Sequence, residues 1–496
     1  MADETTDVLI CGAGAAGLAL AIELGRRQVP FVLIDKSPRP FHGSRGKGIQ
    51  PRTQEIFEDM GVVNRVIARG GLYPLQRQYK DGGFTDEPMM EERAPMPAEP
   101  YAMPIMLPQF LTEAILRDRL TELGHGVRFG AEMTGFEQDA DGVDATVKTD
   151  AGQHTLRARY LVGADGGRSF VRSALGIDFP GKTLGIRGLV ADLNLDGLVG
   201  DFWHRWNDGT LQQLSLCPLR GTAMIQLQAP VPLEGDIDLS APGIEAMIRA
   251  RTGRNDIRVH SVSWASAYMM NARLAERYRV GRVFLAGDSA HIHPPTGGQG
   301  LNTSIQDSYN LGWKLAAVLS GAPDAVLASY EAERRPVAAE VLDLSTRLLE
   351  AASQRGDMRR GRETHQLDLG YPDSPLSLPA ADDLSLRPGD RAPDAPCAGA
   401  SGQPTRLFDL FRGPYWTLLD CAVDPSAMAA RHNLRIHTTG IRGDIVDNSG
   451  HIQDAYGAVS RWYLIRPDGY IAAVVPAAQG VALEKHFLSL SGGASA

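Results

Sequence analysis

The sequence predicts an α/β protein. A dinucleotide-binding βαβ unit carries an inserted antiparallel sheet and is followed by a smaller α/β unit. Three short segments, far apart in the chain, carry this prediction. Gly12-Ala13-Gly14-Ala15-Ala16-Gly17 follows the apolar run Val8-Leu9-Ile10-Cys11. Tyr160-Leu161-Val162-Gly163-Ala164-Asp165-Gly166 precedes Ser169 and Arg172. Arg282-Val283-Phe284-Leu285-Ala286-Gly287-Asp288 runs on through Pro294-Pro295-Thr296-Gly297-Gly298-Gln299-Gly300-Leu301-Asn302. Each segment alone is a weak signal, but in this order they outline one cofactor site.

Val8 to Cys11 has the short, apolar, β-rich character of a buried parallel strand. Gly14 to Gln28 follows as a helix, with Leu18, Ile22 and Leu24 apolar, and Phe31 to Ile34 as the next strand. Gly12 permits the tight turn, Gly14 lets the backbone approach a pyrophosphate, and Gly17 lets the helix pack close to the strand. The helix N-terminus then faces the phosphate charge. Asp35, at the end of the second strand, can accept hydrogen bonds from ribose hydroxyls and disfavours a 2′-phosphate. This motif alone does not separate FAD from NAD.

Further along, a loop rich in Gly, Ser and Arg (Phe41 to Gly48) leads to a helix from Thr53 to Asp59. Residues 73–107 read as irregular and hold Met89, Met90, Met96, Met103 and Met106. Gln109 to Leu123 is an amphipathic helix, and residues 126–162 alternate like hairpin strands. Residues 186–270 read as the inserted sheet, with strands at Leu211 to Leu216, Ala223 to Leu227 and Arg258 to Trp264. Helices are expected at Thr303 to Leu319 and Pro323 to Leu349. Residues 370–404, rich in Pro, Asp and Ala, mark a linker, and 405–490 form the small separate unit. There is no internal repeat.

Composition bounds the function. Lys and Arg number 50 against 59 Asp and Glu, a net charge of −9 with no long basic block, so nucleic acid is not an expected partner. Cys11, Cys217, Cys397 and Cys421 are scattered without a CxxC pair, which fits a reducing cytoplasm and argues against a zinc site. Val8 to Ile22 is flanked by Asp3, Glu4 and Asp7, unlike a signal peptide. No stretch approaches the ~20 apolar residues of a membrane helix.

The third segment carries the most chemistry. Asp288, at a strand's carboxyl end, can bind a polyhydroxylated chain such as ribityl. Ser289 to Gly300 is a stiff, open loop whose backbone can press on a flat ring, and the helix starting at Leu301 can face a flavin carbonyl. Gly287-Asp288-Ser289 resembles a hydrolase nucleophile motif, but neither base nor oxyanion site is assignable. His291 and His293 have ligand-like spacing without a completing cluster, so structural histidines and no metal are expected.

With these segments in place, the chain resembles the class A flavoprotein monooxygenases: FAD-dependent aromatic hydroxylases of the para-hydroxybenzoate and phenol hydroxylase kind. It is most similar to polyketide-type members with a C-terminal thioredoxin-like domain. The resemblance covers nearly the whole chain. It implies a Rossmann-like FAD-binding domain (1–75, 101–180 and 275–370), a substrate-binding β-sheet domain (76–100 and 181–274) and a thioredoxin-like domain (390–496). It implies non-covalent FAD, with NADPH or NADH and O2 as co-substrates. The product would be a hydroxylated phenolic or polycyclic aromatic, formed through a flavin C4a-hydroperoxide.

The cofactor-binding residues it implies begin with Gly12, Gly14, Ala16, Gly17, Asp35 and Lys36. Arg45 would lie near the pyrophosphate and the nicotinamide path, Gln109 at the ribityl-phosphate and Met133 at adenine. Asp165 would touch FAD, Asp288 the ribityl chain, and Pro295 the flavin edge beside the substrate. Gly298, Gly300, Leu301 and Asn302 would run along the isoalloxazine. Arg45 and Pro295 are the residues nearest the chemistry. No acid or base is assigned, Tyr268 and His260 being weighed as substrate bases against structural roles. Methionines of 89–106, with Met224, Met269 and Met270, are weighed as an apolar pocket wall against ordinary packing. The C-terminal unit lacks CxxC and should be redox-inert, with a packing or homodimerisation role. Epoxidation, Baeyer–Villiger insertion and a flavin-free carrier of the same fold are the alternatives.

Overall fold

The computed structural model describes residues 4–206, 212–355, 360–379, 384–421, 428, 431–440, 443–457, 460–476 and 479–492, the side chains of 352–355 excepted. Leu211, the expected start of one inserted strand, lies outside the described residues.

Val8, Leu9 and Ile10 are fully buried. They pair in parallel with the Phe31–Asp35 strand on one side and with the Gly152–Gly163 strand on the other. Val283–Leu285 and Val127–Phe129 extend this sheet at its two sides, again in parallel. Strands so enclosed are apolar on both faces, which is why they read as continuous hydrophobic runs. The helices Ala15–Arg26 and Gly300–Leu319 pack against each other over the sheet. They approach so closely that a Cβ on Gly312 would press on Glu23.

The inserted sheet has eight strands. In spatial order they are His291–Ile292, Arg258–Leu274, Gly181–Asp196, Ile225–Val231, Leu214–Pro218, Phe202–Trp206, Leu75–Lys80 and Gly83–Glu87. Its two faces differ by the period-two rule. Leu189, Ala191, Leu193, Leu216 and Leu227 pack under Ile244 and Ile248 of the Ala241–Thr252 helix. The alternate residues Asp192, Gln226, Cys217 and Trp203 fall on the other face.

Residues 73–107, expected to be irregular, supply the last two strands of this sheet. Asp81 and Gly82 both have positive φ (51° and 78°) and close a two-residue turn, the geometry that matches strand twist in a tight hairpin. The hairpin joins the sheet through parallel pairing with Phe202–Trp206.

The C-terminal unit pairs Trp416–Cys421 in parallel with Leu434–Thr439. On its other side it pairs antiparallel with Arg461–Ile465, which turns back into Ile471–Pro476 before the Gly480–Ser491 helix. That order is thioredoxin-like. Residues 370–404 are more than a spacer. Tyr371, Leu376, Ala392 and Ala395 are buried, and Pro396–Gly399 and Pro404–Arg406 are strands of the C-terminal sheet. Trp313 and Val326, from helices of the cofactor domain, share one core with Trp416, Trp462 and Phe487.

A candidate flavin and substrate site

Two glycines of the first segment are required by close packing, and the third stands open. Gly12 has φ +107°, and a Cβ there would overlap Ala164. A Cβ on Gly17 would run into the Gly12 carbonyl, so helix and turn touch directly. Gly14 meets nothing nearer than Glu113 Oε1 at 3.9 Å and stands open. The Asp35 carboxylate accepts the amides of Ala13 and Ser37, each at 2.8 Å, tying the turn to the second strand.

A cleft of about 160 Å³ opens here, lined by Gly14, Asp35, Arg45, Gln109 and Glu113 among others. Gln109 Nε2 donates to Glu113 Oε1 at 2.8 Å, while Glu113 Oε2 is buried without a partner. Burial pushes the Glu113 carboxyl up to about 7. Ala16 packs below the cleft, its carbonyl accepting Ser308 Oγ at 2.8 Å. Lys36 is exposed and Met133 is buried in the neighbouring meander, and neither lines the cleft.

The second segment bolts the first to the third. Asp165 accepts Ser169 Oγ at 2.5 Å and the Val171 amide at 3.1 Å, so its carboxylate is engaged in starting the short Phe170–Ala174 helix. Arg172 Nη1 donates to the Ser289 carbonyl at 2.7 Å. Ser289 Oγ is fully buried and donates to Gly163 O at 2.6 Å, which ends its likeness to a hydrolase nucleophile. His291 Nε2 lies 2.7 Å from Asp307, and Arg334 holds that carboxylate's other oxygen at 2.8 Å. His293 stacks on His291, and burial pushes it down to about 4. No group of potential metal ligands occurs among the described residues, while His291 Nδ1 and His293 Nε2 are buried without a hydrogen-bond partner.

Asp288 is solvent-exposed, yet enclosed enough that burial raises its carboxyl above the usual range. No hydrogen-bond partner reaches it among the described residues. Beyond it, Gly297 and Gly298 have consecutive positive φ (81° and 66°), a path closed to ordinary side chains. Asn302 fixes this loop. Its Nδ2 donates to Gly298 O at 2.7 Å and Gly48 O at 2.8 Å, and its Oδ1 accepts the Gln50 amide at 2.8 Å. Leu301 meets Gly46, Gly300 lies against His293, and Pro295 is exposed at the loop's start.

The segment from Ser44 to Gln50 ties this loop to one row of the inserted sheet. Cross-strand pairing aligns Cys217, Gln226, Asp192 and Trp264, with Trp203 on the next strand beside Gln76. Trp264 packs on Gly43 and carries Arg45, whose guanidinium lies 5.8 Å from the Trp264 ring and 5.7 Å from Phe41. Ser44 bonds Asp192 and accepts Gln226 Nε2 at 2.5 Å, and Lys47 Nζ donates to Gln226 Oε1 at 2.7 Å. Tyr268 shares the face of Trp264, its hydroxyl pushed up to about 12 by burial. His260 is exposed and paired with Asp196, away from this row. Met89, Met90, Met103 and Met106 cluster with Trp203 and Tyr73, whereas Met96 and Met269 are exposed.

The cleft thus brings together Gly14, Asp35, Arg45 and Gln109, with Gly12 and Gly17 packed in the turn beside it and Gly46, next to Arg45, meeting Leu301 of the third segment. Ser44, Lys47, Glu113, Asp192 and Gln226 escaped the sequence reading. The available signal was a polar residue at period two inside an apolar strand, as in Val190-Ala191-Asp192-Leu193.

The sequence matches a family described as FAD binding domain over residues 5–345, and one described as aromatic-ring hydroxylase, C-terminal, over 385–492. A flavin-dependent monooxygenase of Mycobacteroides abscessus is 40% identical, covering 96% of this chain and 98% of the relative. The 12-dehydrotetracycline 5-monooxygenase/anhydrotetracycline 6-monooxygenase of Streptomyces rimosus is 34% identical over 94% of each chain. Among solved structures, aklavinone-11 hydroxylase in ternary complex with FAD and aklavinone superposes with a TM-score of 0.85 at 28% identity, covering 99% of this chain and 100% of that one.

Proposed function

The chain belongs to the FAD-dependent aromatic-ring monooxygenases. From that membership we propose that it hydroxylates a small phenolic or polycyclic aromatic molecule with O2, drawing electrons from NADH or NADPH as a single component. The observation that carries this reading is the tie between cofactor loop and inserted sheet: Asn302 holds Gly48 and Gln50, while Gln226 of the polar row holds Ser44 and Lys47 of the same segment.

The residues present fit FAD. Gly14 is open where a pyrophosphate needs backbone, and the Asp288 side chain is exposed at the carboxyl end of its strand. Asp35 and Gln109 would hold the adenosine and phosphate end, Asp288 the ribityl hydroxyls, and the Pro295–Asn302 loop the ring. Bound there, the flavin supplies the redox and oxygen chemistry. The chain's own part is to orient the aromatic, exclude water and fix the ring system against the loop. Arg45 stands at the seam between cleft and sheet, where a nicotinamide carrier would approach. Nothing basic or membrane-like competes with a small-molecule partner. The net charge is −9, and no helix among the described residues is long and apolar enough to cross a membrane. The cytoplasm is the proposed compartment and a homodimer the assembly to test by light scattering.

The deciding experiment incubates the yellow holoenzyme with NADH or NADPH, O2 and a panel of phenols and polycyclic polyketides. We expect substrate-stimulated NAD(P)H consumption and a product heavier by one oxygen atom. Purified protein that stays colourless with added FAD, or stimulation by no aromatic tested, would sink the reading.

A further inference from the structure

Residues 345–348 and 364–366 grip the Pro295–Asn302 loop. Thr296 Oγ1 donates to Ser345 O at 2.7 Å, and a Cβ on Gly297 would press on Leu348. Gln299 Nε2 spends its two hydrogens on Thr364 O at 3.1 Å and on Gly297 O at 2.9 Å. The Gly297 oxygen also accepts Gln50 Nε2 at 3.0 Å. Gln50 and Gln299 are both fully buried, so the Gly297 carbonyl is turned into the protein.

Beyond Gln299 the amides run on in one direction. Gln366 Nε2 donates to Gln299 Oε1 at 2.6 Å and reaches Thr303 Oγ1 at 3.3 Å. Gln306 Nε2, on the buried part of the Gly300–Leu319 helix, donates to Gln366 Oε1 at 2.6 Å. Gln299, Gln306 and Gln366 are each at most 3% exposed. The middle member sits on an unfavourable backbone. Gln366 has φ 62°, in the left-handed region that a residue with a Cβ seldom occupies. Glycine or asparagine would take that conformation more easily, but neither has the reach to join Gln306 to Gln299. Strain tolerated at such a position points to a task for the side chain that causes it.

We propose that Gln366 is a positioning residue for the flavin: through Gln299 it keeps the Gly297 carbonyl turned inward, and so sets the polarity of the backbone that the ring meets. The proposal rests on the reading that this loop holds the flavin ring. Without Gln366, Gln299 Oε1 becomes a buried acceptor with no donor, which favours its amide leaving the Gly297 carbonyl. Gly297 and Gly298 both lack a Cβ and both have positive φ, so the peptide between them can rotate at little steric cost once released. Reduction adds negative charge to a flavin, and a carbonyl oxygen turned outward would oppose that charge. The chain of amides holds the oxygen away and thereby favours the reduced ring. Gln306, by donating to Gln366, fixes which way the Gln366 amide faces.

The test compares FAD-loaded wild type with Gln366→Asn and Gln366→Gly, which suit a left-handed backbone but cannot span from Gln306 to Gln299. The flavin's reduction potential is read by spectral equilibration with a redox dye, and stability from thermal unfolding of the FAD-free proteins. Both variants should move the flavin's equilibrium toward the oxidised form by roughly threefold or more, about 14 mV for a two-electron couple. Gln306→Met should shift it the same way by less, and it decides the matter by that sign if the Gln366 variants do not fold. A purely structural role for the three amides would lower the unfolding midpoint and leave the potential where it was. That result, a shift toward the reduced form, or loss of the fold in all three variants overturns the proposal. A potential level across folded variants removes the positioning role alone, whereas wild-type protein that takes up no FAD removes the functional reading beneath it.

Discussion

Two groups of charged side chains in this protein are finished differently. Glu333, Lys314, Arg466 and Asp468 form the first, where the cofactor domain meets the C-terminal unit. Lys314 Nζ lies 2.6 Å from Glu333, Arg466 lies 2.6 Å from Glu333 and 2.6 Å from Asp468, and every member is at most 1% exposed at the side chain. Asn310, Trp313 and Ser374 satisfy the remaining oxygens. Two acids face two bases and nothing is left over. Asp288 and Glu113 follow another rule: each has an atom or a charge without a partner, and each borders the proposed site. A closed group holds parts together, whereas an open one waits for something from outside. The comparison makes separable predictions, because breaking the first should cost stability and breaking the second should cost affinity.

The largest effect is expected from Glu333→Gln, which strands Arg466 and Lys314 in the interior. Removing one partner of a buried pair costs about 3–5 kcal/mol, to be read from denaturant unfolding of the FAD-free protein. Burial opposes the charge on Glu333, but Arg466 and Lys314 outweigh it and hold the carboxyl well below the usual range. Its contribution is therefore present above the unfolded value of 4.5 and lost as pH falls below it. An unchanged unfolding midpoint would mean that the closed group is ornamental.

Asp288→Ala should do the reverse. FAD affinity should drop by about one to two decades, from the loss of charge-assisted bonds worth about 1.5–3 kcal/mol. The apoprotein should be as stable as the parent or more so, because burial already disfavours this carboxylate. Calorimetric titration with FAD alongside thermal unfolding reads both. Loss of stability with unchanged FAD affinity would place Asp288 among the closed groups.

The smallest effect belongs to Glu113. Its carboxyl is raised to about 7, so it is neutral in the folded protein where the unfolded chain, near 4.5, is already ionised. Its contribution to stability is complete below about 4.5 and is lost as pH rises through about 7. Ionisation there sets a negative charge beside the open Gly14, where a pyrophosphate would lie, so FAD affinity should weaken across neutral pH. Glu113→Gln should flatten that profile, with a difference of several-fold at pH 8. A wild-type FAD affinity that is level from pH 6 to 8 would contradict it.

The closed and open groups also differ in how far the sequence could announce them. Gly12, Gly14 and Gly17 are legible because each answers a local demand of the backbone, within a few residues of the strand that creates it. Asp288 and the Pro294–Asn302 loop are legible for the same reason. Lys47 depends on Gln226, 179 residues away, and Ser44 on Asp192, 148 away, and no local pattern encodes those meetings. The hairpin at Leu75–Lys80 and Gly83–Glu87 was missed for a different reason. Its outer strand is exposed throughout, so it lacks the alternation that marks a half-buried strand. Asp81-Gly82 was the signal that remained. The 370–404 stretch read as a linker because Pro and Asp dominate it, although Ala392 and Ala395 go to the core.

The two faces of the inserted sheet suggest how such a protein changes its diet. Asp192 and Gln226 are flanked along their strands by Ala191, Leu193 and Leu227, which turn the opposite way and pack under the Ala241–Thr252 helix. Substitution of the first set alters what the loop confronts and leaves the second set's packing untouched. A strand of this kind can therefore change on one side while the other goes on holding the sheet to its helix, and novelty on the polar face need not be traded against the packing beneath it.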